Sequence, residues 1–313
     1  MKITYLILSV LVLISPLGCG QNPQRQAEAL SQIFTIDIEK GAIEAALFKL
    51  NSFIIRNPNN AAAYYYRAIC YDRKDNFAKA IADYSKAIEL NPEYFEAING
   101  RGMIFFKQKS AESALLDFNK AIEINPNFTL GFYNRAEAKR KLNSKLDEAI
   151  RDYNSAIGKD PKYAEAYLGR GLAYSGQSKF DKAILDFSAA LGLDPTFYEA
   201  YVNRGIAYYQ SGAFDLAALD FTRALRIYSR DPHLFFNRGL SYSQNGNFDL
   251  SISDFKKAIE LNPDYSDAYY FLGVAYNELK DYQNAALNIE KAESLGYAVP
   301  DEFKKMLKQR LKE

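Results

Sequence analysis

The chain has no tryptophan, one histidine, two cysteines and three methionines among 313 residues. One histidine supplies neither a metal site nor a histidine-based catalytic pair by itself, and two cysteines do not make a disulfide framework. An excess of either charge is also missing: 39 Lys and Arg stand against 38 Asp and Glu, a net charge of +1. Phosphate binding needs a basic excess on one face, so nucleic acid is not an expected partner. No Gly-rich phosphate loop, HExxH, CxxC or GxSxG motif occurs, and His233 has no second ligand or base patterned beside it. The expectation is a protein that is not an enzyme and takes no cofactor and no metal.

Long apolar runs are scarce too. The exception is at the start, where Lys2 precedes a largely apolar stretch from Ile3 to Ile14 and then Ser15-Pro16-Leu17-Gly18-Cys19-Gly20. This order reads as an export signal over 1–18, and the run is shorter than the roughly 20 residues a membrane span needs. Leu17-Gly18-Cys19 resembles the lipobox of bacterial lipoproteins, with Pro16 where that family usually has an aliphatic residue. The resemblance implies cleavage before Cys19, lipidation of that cysteine and a polar tether over 19–26. It implies a cell-envelope lipoprotein, in the outer rather than the inner membrane because Gly20 is not the aspartate that retains such proteins inside. Two other readings stay open: cleavage after Gly20, giving a secreted or periplasmic soluble protein, and retention as a short uncut anchor. Cys70 is then the one remaining thiol, and its small, apolar helix position marks it as a packing residue.

The rest of the chain repeats. Asn-Pro or Asp-Pro recurs at Pro58, Pro92, Pro126, Pro161, Pro195 and Pro263, which divides the sequence into eight units: 27–60, 61–94, 95–128, 129–163, 164–197, 198–231, 232–265 and 266–299. The twentieth position of every unit is small (Ala46, Ala80, Ala114, Ala149, Ala183, Ala217, Ser251, Ala285), and the eighth is small in all but the first. Aromatics recur at the fourth and twenty-fourth positions. Spacings of this kind follow one helix face, so each unit is two amphipathic helices whose small residues let the backbones approach. The proline near each unit's end stops the second helix. Unit four carries an extra residue within Asn143–Lys145 and Lys139 at the usually aromatic eleventh position.

Arginine recurs at position seven and aspartate at position twenty-three, together in units two to seven. Their joint presence predicts ion pairs within units: Arg67 with Asp83, Arg101 with Asp117, Arg135 with Asp152, Arg170 with Asp186, Arg204 with Asp220, and Arg238 with Asp254. After unit eight, acidic residues follow Pro300 and basic residues close the segment 300–313, the charge order of a helix. Its stripe of Phe303, Met306, Leu307 and Leu311 is expected to cap the last unit.

The pattern of small, aromatic and proline positions strongly resembles the tetratricopeptide repeat family over residues 27–313. The resemblance implies an all-α fold, a right-handed superhelical solenoid with a C-terminal capping helix. It also implies a concave, peptide-binding groove lined by positions 2, 5, 6, 9, 12 and 13 of each first helix. Candidate ligand contacts are then Asn134, Asn203 and Asn237, whose amides suit an extended backbone, with Tyr65, Phe106, Tyr133, Tyr209, Phe236 and Tyr270 as aromatic surfaces. The other reading of the asparagines is that they hydrogen-bond the adjacent helix or face solvent. Arg73, Lys107, Arg140 and Lys141 do not reproduce the family's clamp for a carboxylate tail. The function that follows is a non-catalytic scaffold or assembly factor with a protein or peptide partner, monomeric because both ends are capped. The alternatives are a carbohydrate- or peptidoglycan-binding module and an accessory subunit of a separate enzyme.

Overall fold

The computed structural model describes residues 42–142 and 145–312. The export signal, Cys19, the tether, the first helix expected in repeat one and turn residues 143 and 144 lie outside the described residues. Among those described, every regular element is a helix. The chain divides into two bodies, Met1–Ile124 and Asn125–Glu313. The first holds α1 (Ile43–Arg56), α2 (Ala61–Arg73), α3 (Phe77–Leu90), α4 (Phe95–Lys107) and α5 (Ala111–Ile124). The second holds α6 (Thr129–Lys141), α7 (Leu146–Lys159), α8 (Ala164–Gly176), α9 (Phe180–Leu193), α10 (Tyr198–Gln210) and α11 (Phe214–Ile227). It continues with α12 (Pro232–Gln244), α13 (Phe248–Leu261), α14 (Ser266–Glu278), α15 (Tyr282–Ser294) and α16 (Asp301–Arg310).

The repeat motif accounts for both helix ends. In α3, Phe77, Ala80, Ile81, Tyr84, Ala87 and Ile88 fall at helical spacing on one face, and the Asn76 side chain accepts the Lys79 N–H at its start. At its end Asn91 is extended, the conformation a residue before proline prefers. The Asn91 side chain then accepts the Glu93 N–H at 3.1 Å, two residues on. Asn125, Asp160, Asp194 and Asn262 do the same. In these five the first residue of the Asn-Pro or Asp-Pro pair thus builds the turn that its proline begins, whereas the Asn57 amide donates back to the Phe53 carbonyl.

Within repeats, the turn between helices is a left-handed cap. The Asn76 N–H bonds the Tyr71 carbonyl and the Asp75 N–H that of Asp72, the paired bonds that close a helix around one residue of positive φ. That residue is position fifteen: Asp75, Lys109, Ser178, Gly212, Gly246 and Lys280 all have positive φ.

The alanines at position twenty are wholly buried, and the neighbouring small residue leaves room for a ring. A Cβ on Gly171 would lie 2.6 Å from the Phe187 ring. All six arginine–aspartate pairs close inside their repeats, each with Nε and Nη2 on the two carboxylate oxygens; in Arg67–Asp83 both bonds are 2.7 Å. The bond to aspartate raises Arg67, Arg101, Arg170 and Arg238 above the ordinary arginine value. In repeat four Lys139 adds a third contact to Asp152 at 2.9 Å, which explains a lysine at an otherwise aromatic position. Cys70 is fully buried, and desolvation pushes its thiol up to about 11.

Within each body consecutive helices pack on one another, and the first helices of neighbouring repeats also touch directly: α2 with α4, and α6, α8, α10, α12 and α14 in turn. Second helices do not come as close, so the first helices line the inner, concave side of each stack. At the end of the second body, Phe303, Met306 and Leu307 of α16 pack with Val299 on Ala285 and Ile289. Leu311, expected on that stripe, is 45% exposed, because the helix ends at Arg310 and turns it outward.

Candidate binding groove

The inner face is shaped by the ring at position twenty-four, which takes one of two seats. Phe118, Phe187, Phe221 and Phe255 lie against the glycine at position eight of their own repeat. Tyr84 and Tyr153 face alanine there, Ala68 and Ala136, and lie instead against Gly100 and Gly169 at position six of the following repeat. A Cβ on Gly169 would meet the Tyr153 hydroxyl at 2.7 Å. Tyrosine hydroxyls therefore stand where other repeats place asparagine. Tyr153 donates to Glu137, and the Arg140 guanidinium bridges both, 3.2 Å from the hydroxyl and 2.6 Å from the carboxylate. Burial, then the Glu137 charge, holds the Tyr153 phenol far above its usual range, so it stays a neutral donor.

The three asparagines meet different fates. Asn134 is 4% exposed and engaged within the chain, so it does not present its amide to an open groove as the resemblance implied. Asn203 is half-buried and donates to the Glu199 carbonyl at 2.7 Å, one turn back in its own helix. This bond uses one amide hydrogen and leaves the carbonyl oxygen. Asn237 is half-buried and makes no side-chain hydrogen bond among the described residues.

Four of the aromatics are half-spent on packing. Tyr65 packs at a tilt on Tyr94 and Tyr84, Tyr133 at a tilt on Tyr163 and edge-on to Tyr153, Phe236 at a tilt on Tyr265 and Phe255, and Tyr270 stacks on Tyr297 at 4.3 Å. In repeats two, four and seven a ring at position five thus leans on the ring that ends the same repeat, a pairing visible in sequence, whereas Tyr297 stands at position thirty-two of repeat eight. Burial pushes the Tyr65 and Tyr133 phenols up to about 12. Tyr209 packs edge-on to Phe214, and Phe106 is half-buried without a stacked ring among the described residues. Lys107 pairs with Asp72 at 2.6 Å and Arg140 with Glu137, so neither is a free anion site. No cluster of residues able to hold a metal ion occurs among the described residues.

Sequence reading missed the third arm of the arginines. Nη1 of Arg67 bonds Asn51, that of Arg101 bonds Ser85, that of Arg170 bonds Asn154, that of Arg204 bonds Ser188 and that of Arg238 bonds Thr222. Each acceptor is position twenty-five of the preceding repeat. Its small polar character was the available signal.

Family models described as tetratricopeptide repeat match residues 61–94, 95–128, 170–232 and 236–296, and one described as TPR repeat matches 143–178. Among solved structures, YrrB, a TPR protein with an unusual peptide-binding site, is 26% identical with a TM-score of 0.53, over 57% of this chain and 92% of that one. A tetratricopeptide repeat protein from Parabacteroides merdae is 22% identical, TM-score 0.56, over 80% of this chain and 97% of that one. PilW, a type IV pilus biogenesis factor, is 19% identical, TM-score 0.60, over 66% of this chain and 96% of that one. The last two are likenesses of fold. No curated protein sequence matches the chain.

Proposed function

Because the chain belongs to the tetratricopeptide repeat family, we propose that it is a non-catalytic scaffold or assembly factor, holding an extended protein segment in the groove of its first helices. The observation that carries this reading is an inner face in the second body with side chains left over from packing. Ile206 is 40% exposed, and Asn237 has donors and an acceptor unused among the described residues. Backbone amides of an extended segment suit such an asparagine. A peptide-binding relative of the same fold supports the reading.

The site of action is the cell envelope, with Cys19 as the lipid-bearing residue of a monomeric protein. The support is the signal-like order of residues 1–20. Metabolic labelling with a fatty-acid analogue should mark the wild type and leave Cys19→Ser unlabelled; equal labelling would remove the anchor.

A photo-crosslinking residue placed at Ile206 should capture a defined protein in cells, and the same residue at Leu219 on the second helix of that repeat should not. Equal capture at both positions would move binding away from the groove.

A further inference from the structure

Across repeats five to eight, all within the second body, the groove has a consistent cross-section. At the N-terminal edge of the first helices, position two holds exposed Glu165, Glu199 and Asp267; repeat seven has His233 there, directly after Asp231 and Pro232. Position nine is aliphatic in all four repeats: Leu172, Ile206, Leu240 and Val274, half-buried or, for Ile206, exposed. Positions twelve and thirteen are neutral except for Glu278. No lysine or arginine occupies any of the six groove positions in these four repeats.

Helix dipoles favour acid at a helix start, and that alone explains position two. They equally favour a cation at the helix end. Repeats two, three and four follow this rule with Arg73, Lys107 and Lys141 at position thirteen, whereas repeats five to eight have Gly176, Gln210, Gln244 and Glu278. The missing cations are therefore not a by-product of helix stability. Nor are the carboxylates neutralised: Glu165, Glu199, Asp267 and Glu278 form no ion pair among the described residues, and only long 3.4 Å bonds from Ser266 and Asn277 reach Asp267 and Glu278. Their field reaches the groove wall, where burial and then Asp267 push the Tyr265 phenol up to about 12.

We propose that this groove receives a basic, aliphatic segment of a partner protein in extended conformation, its lysines or arginines along the Glu165–Glu199–Asp267 edge and its aliphatic side chains on the row from Leu172 to Val274. The inference rests on the groove reading above and adds the chemistry of the occupant. Neighbouring packed helices lie about 10 Å apart. A polyproline-type chain rises about 3.1 Å per residue and returns to the same side every third residue. Cations three residues apart thus meet Glu165 and Glu199, and one six residues further on, past His233 in repeat seven, meets Asp267, while the residues between them reach the aliphatic row.

The test uses synthetic peptides of equal length and aliphatic content, with lysine at every third position, replaced stepwise by glutamate. Binding to the full chain is read by fluorescence anisotropy at low and high salt. The lysine peptide should bind best and weaken about tenfold or more with salt and in a Glu165→Gln, Glu199→Gln, Asp267→Asn variant. Its binding should be lost in Ile206→Arg. A preference for the glutamate peptide that Ile206→Arg abolishes overturns the charge assignment and leaves the groove reading standing. Binding indifferent to Ile206→Arg, or no binding by any peptide in the series, overturns both. Circular dichroism melts of each variant separate lost binding from lost folding.

Discussion

The seat of one ring decides which side chain the next repeat can carry. Where the ring at position twenty-four is phenylalanine the following position six holds Asn134, Asn203, Asn237 or Phe271, and where it is tyrosine that position is Gly100 or Gly169. Tyr84 comes within 2.7 Å of a Cβ built on Gly100, so Gly100→Asn should destabilise the protein by about 1–3 kcal/mol through overpacking. Combined with Tyr84→Phe and Ala68→Gly, which together open the seat used by the other phenylalanines, the same substitution should cost clearly less; additive costs in a urea-denaturation cycle would mean that the two seats are independent. At this scale the sequence was only partly legible. Small and aromatic positions announced themselves through their period, but the seat of a ring depends on residues in two different repeats. The bond from Asn203 to its own helix was equally hidden, because any helical amide has a carbonyl one turn back within reach.

Helices were the most legible level, because eight copies of one period repeat the same evidence. The turns between them were not read, since position fifteen looks unremarkable in sequence: Asp, Lys, Ser and Gly all occur there. The structure gives them one conformation, with φ of 61° at Lys109, 57° at Ser178 and 63° at Lys280. A left-handed residue with a side chain costs roughly 1–2 kcal/mol, which glycine avoids at some loss of chain entropy. Lys109→Gly, Ser178→Gly and Lys280→Gly should therefore each stabilise the fold by about 0.5–1 kcal/mol, seen as a higher urea midpoint with unchanged slope. A lower midpoint would show that the native side chains make contacts outweighing their backbone cost. The same logic makes Gly212→Ala destabilising by about 1 kcal/mol.

Beyond the single repeat, Arg67, Arg101, Arg170, Arg204 and Arg238 each fasten three helices: their own, the partner in the same repeat and the second helix of the repeat before. Asp220 is 1% exposed and accepts from Arg204 and Arg223, while Arg204 also reaches Ser188 at 2.9 Å. Asp220→Ala would leave a partly buried guanidinium without its carboxylate, at a cost of about 3–5 kcal/mol. Hydrogen exchange should quicken in both helices of repeat six and in α9 of repeat five; quickening confined to repeat six would mean that the Arg204–Ser188 link carries no coupling. The partners inside a repeat were legible because arginine and aspartate are present or absent together, whereas the link to the preceding repeat was spread over three residue types, Asn, Ser and Thr. That link also stops. Repeat seven carries Lys256 at position twenty-five, and repeat eight answers with Leu272 in place of arginine. A gene duplication that copied repeat five or six would arrive with both halves of its connector in register, ready to lengthen the array from within. A copy of either added after repeat eight would instead have to displace α16, whose Phe303, Met306 and Leu307 cover Ala285 and Ile289. This chemistry favours evolutionary growth from the middle of the array and disfavours it at the capped end.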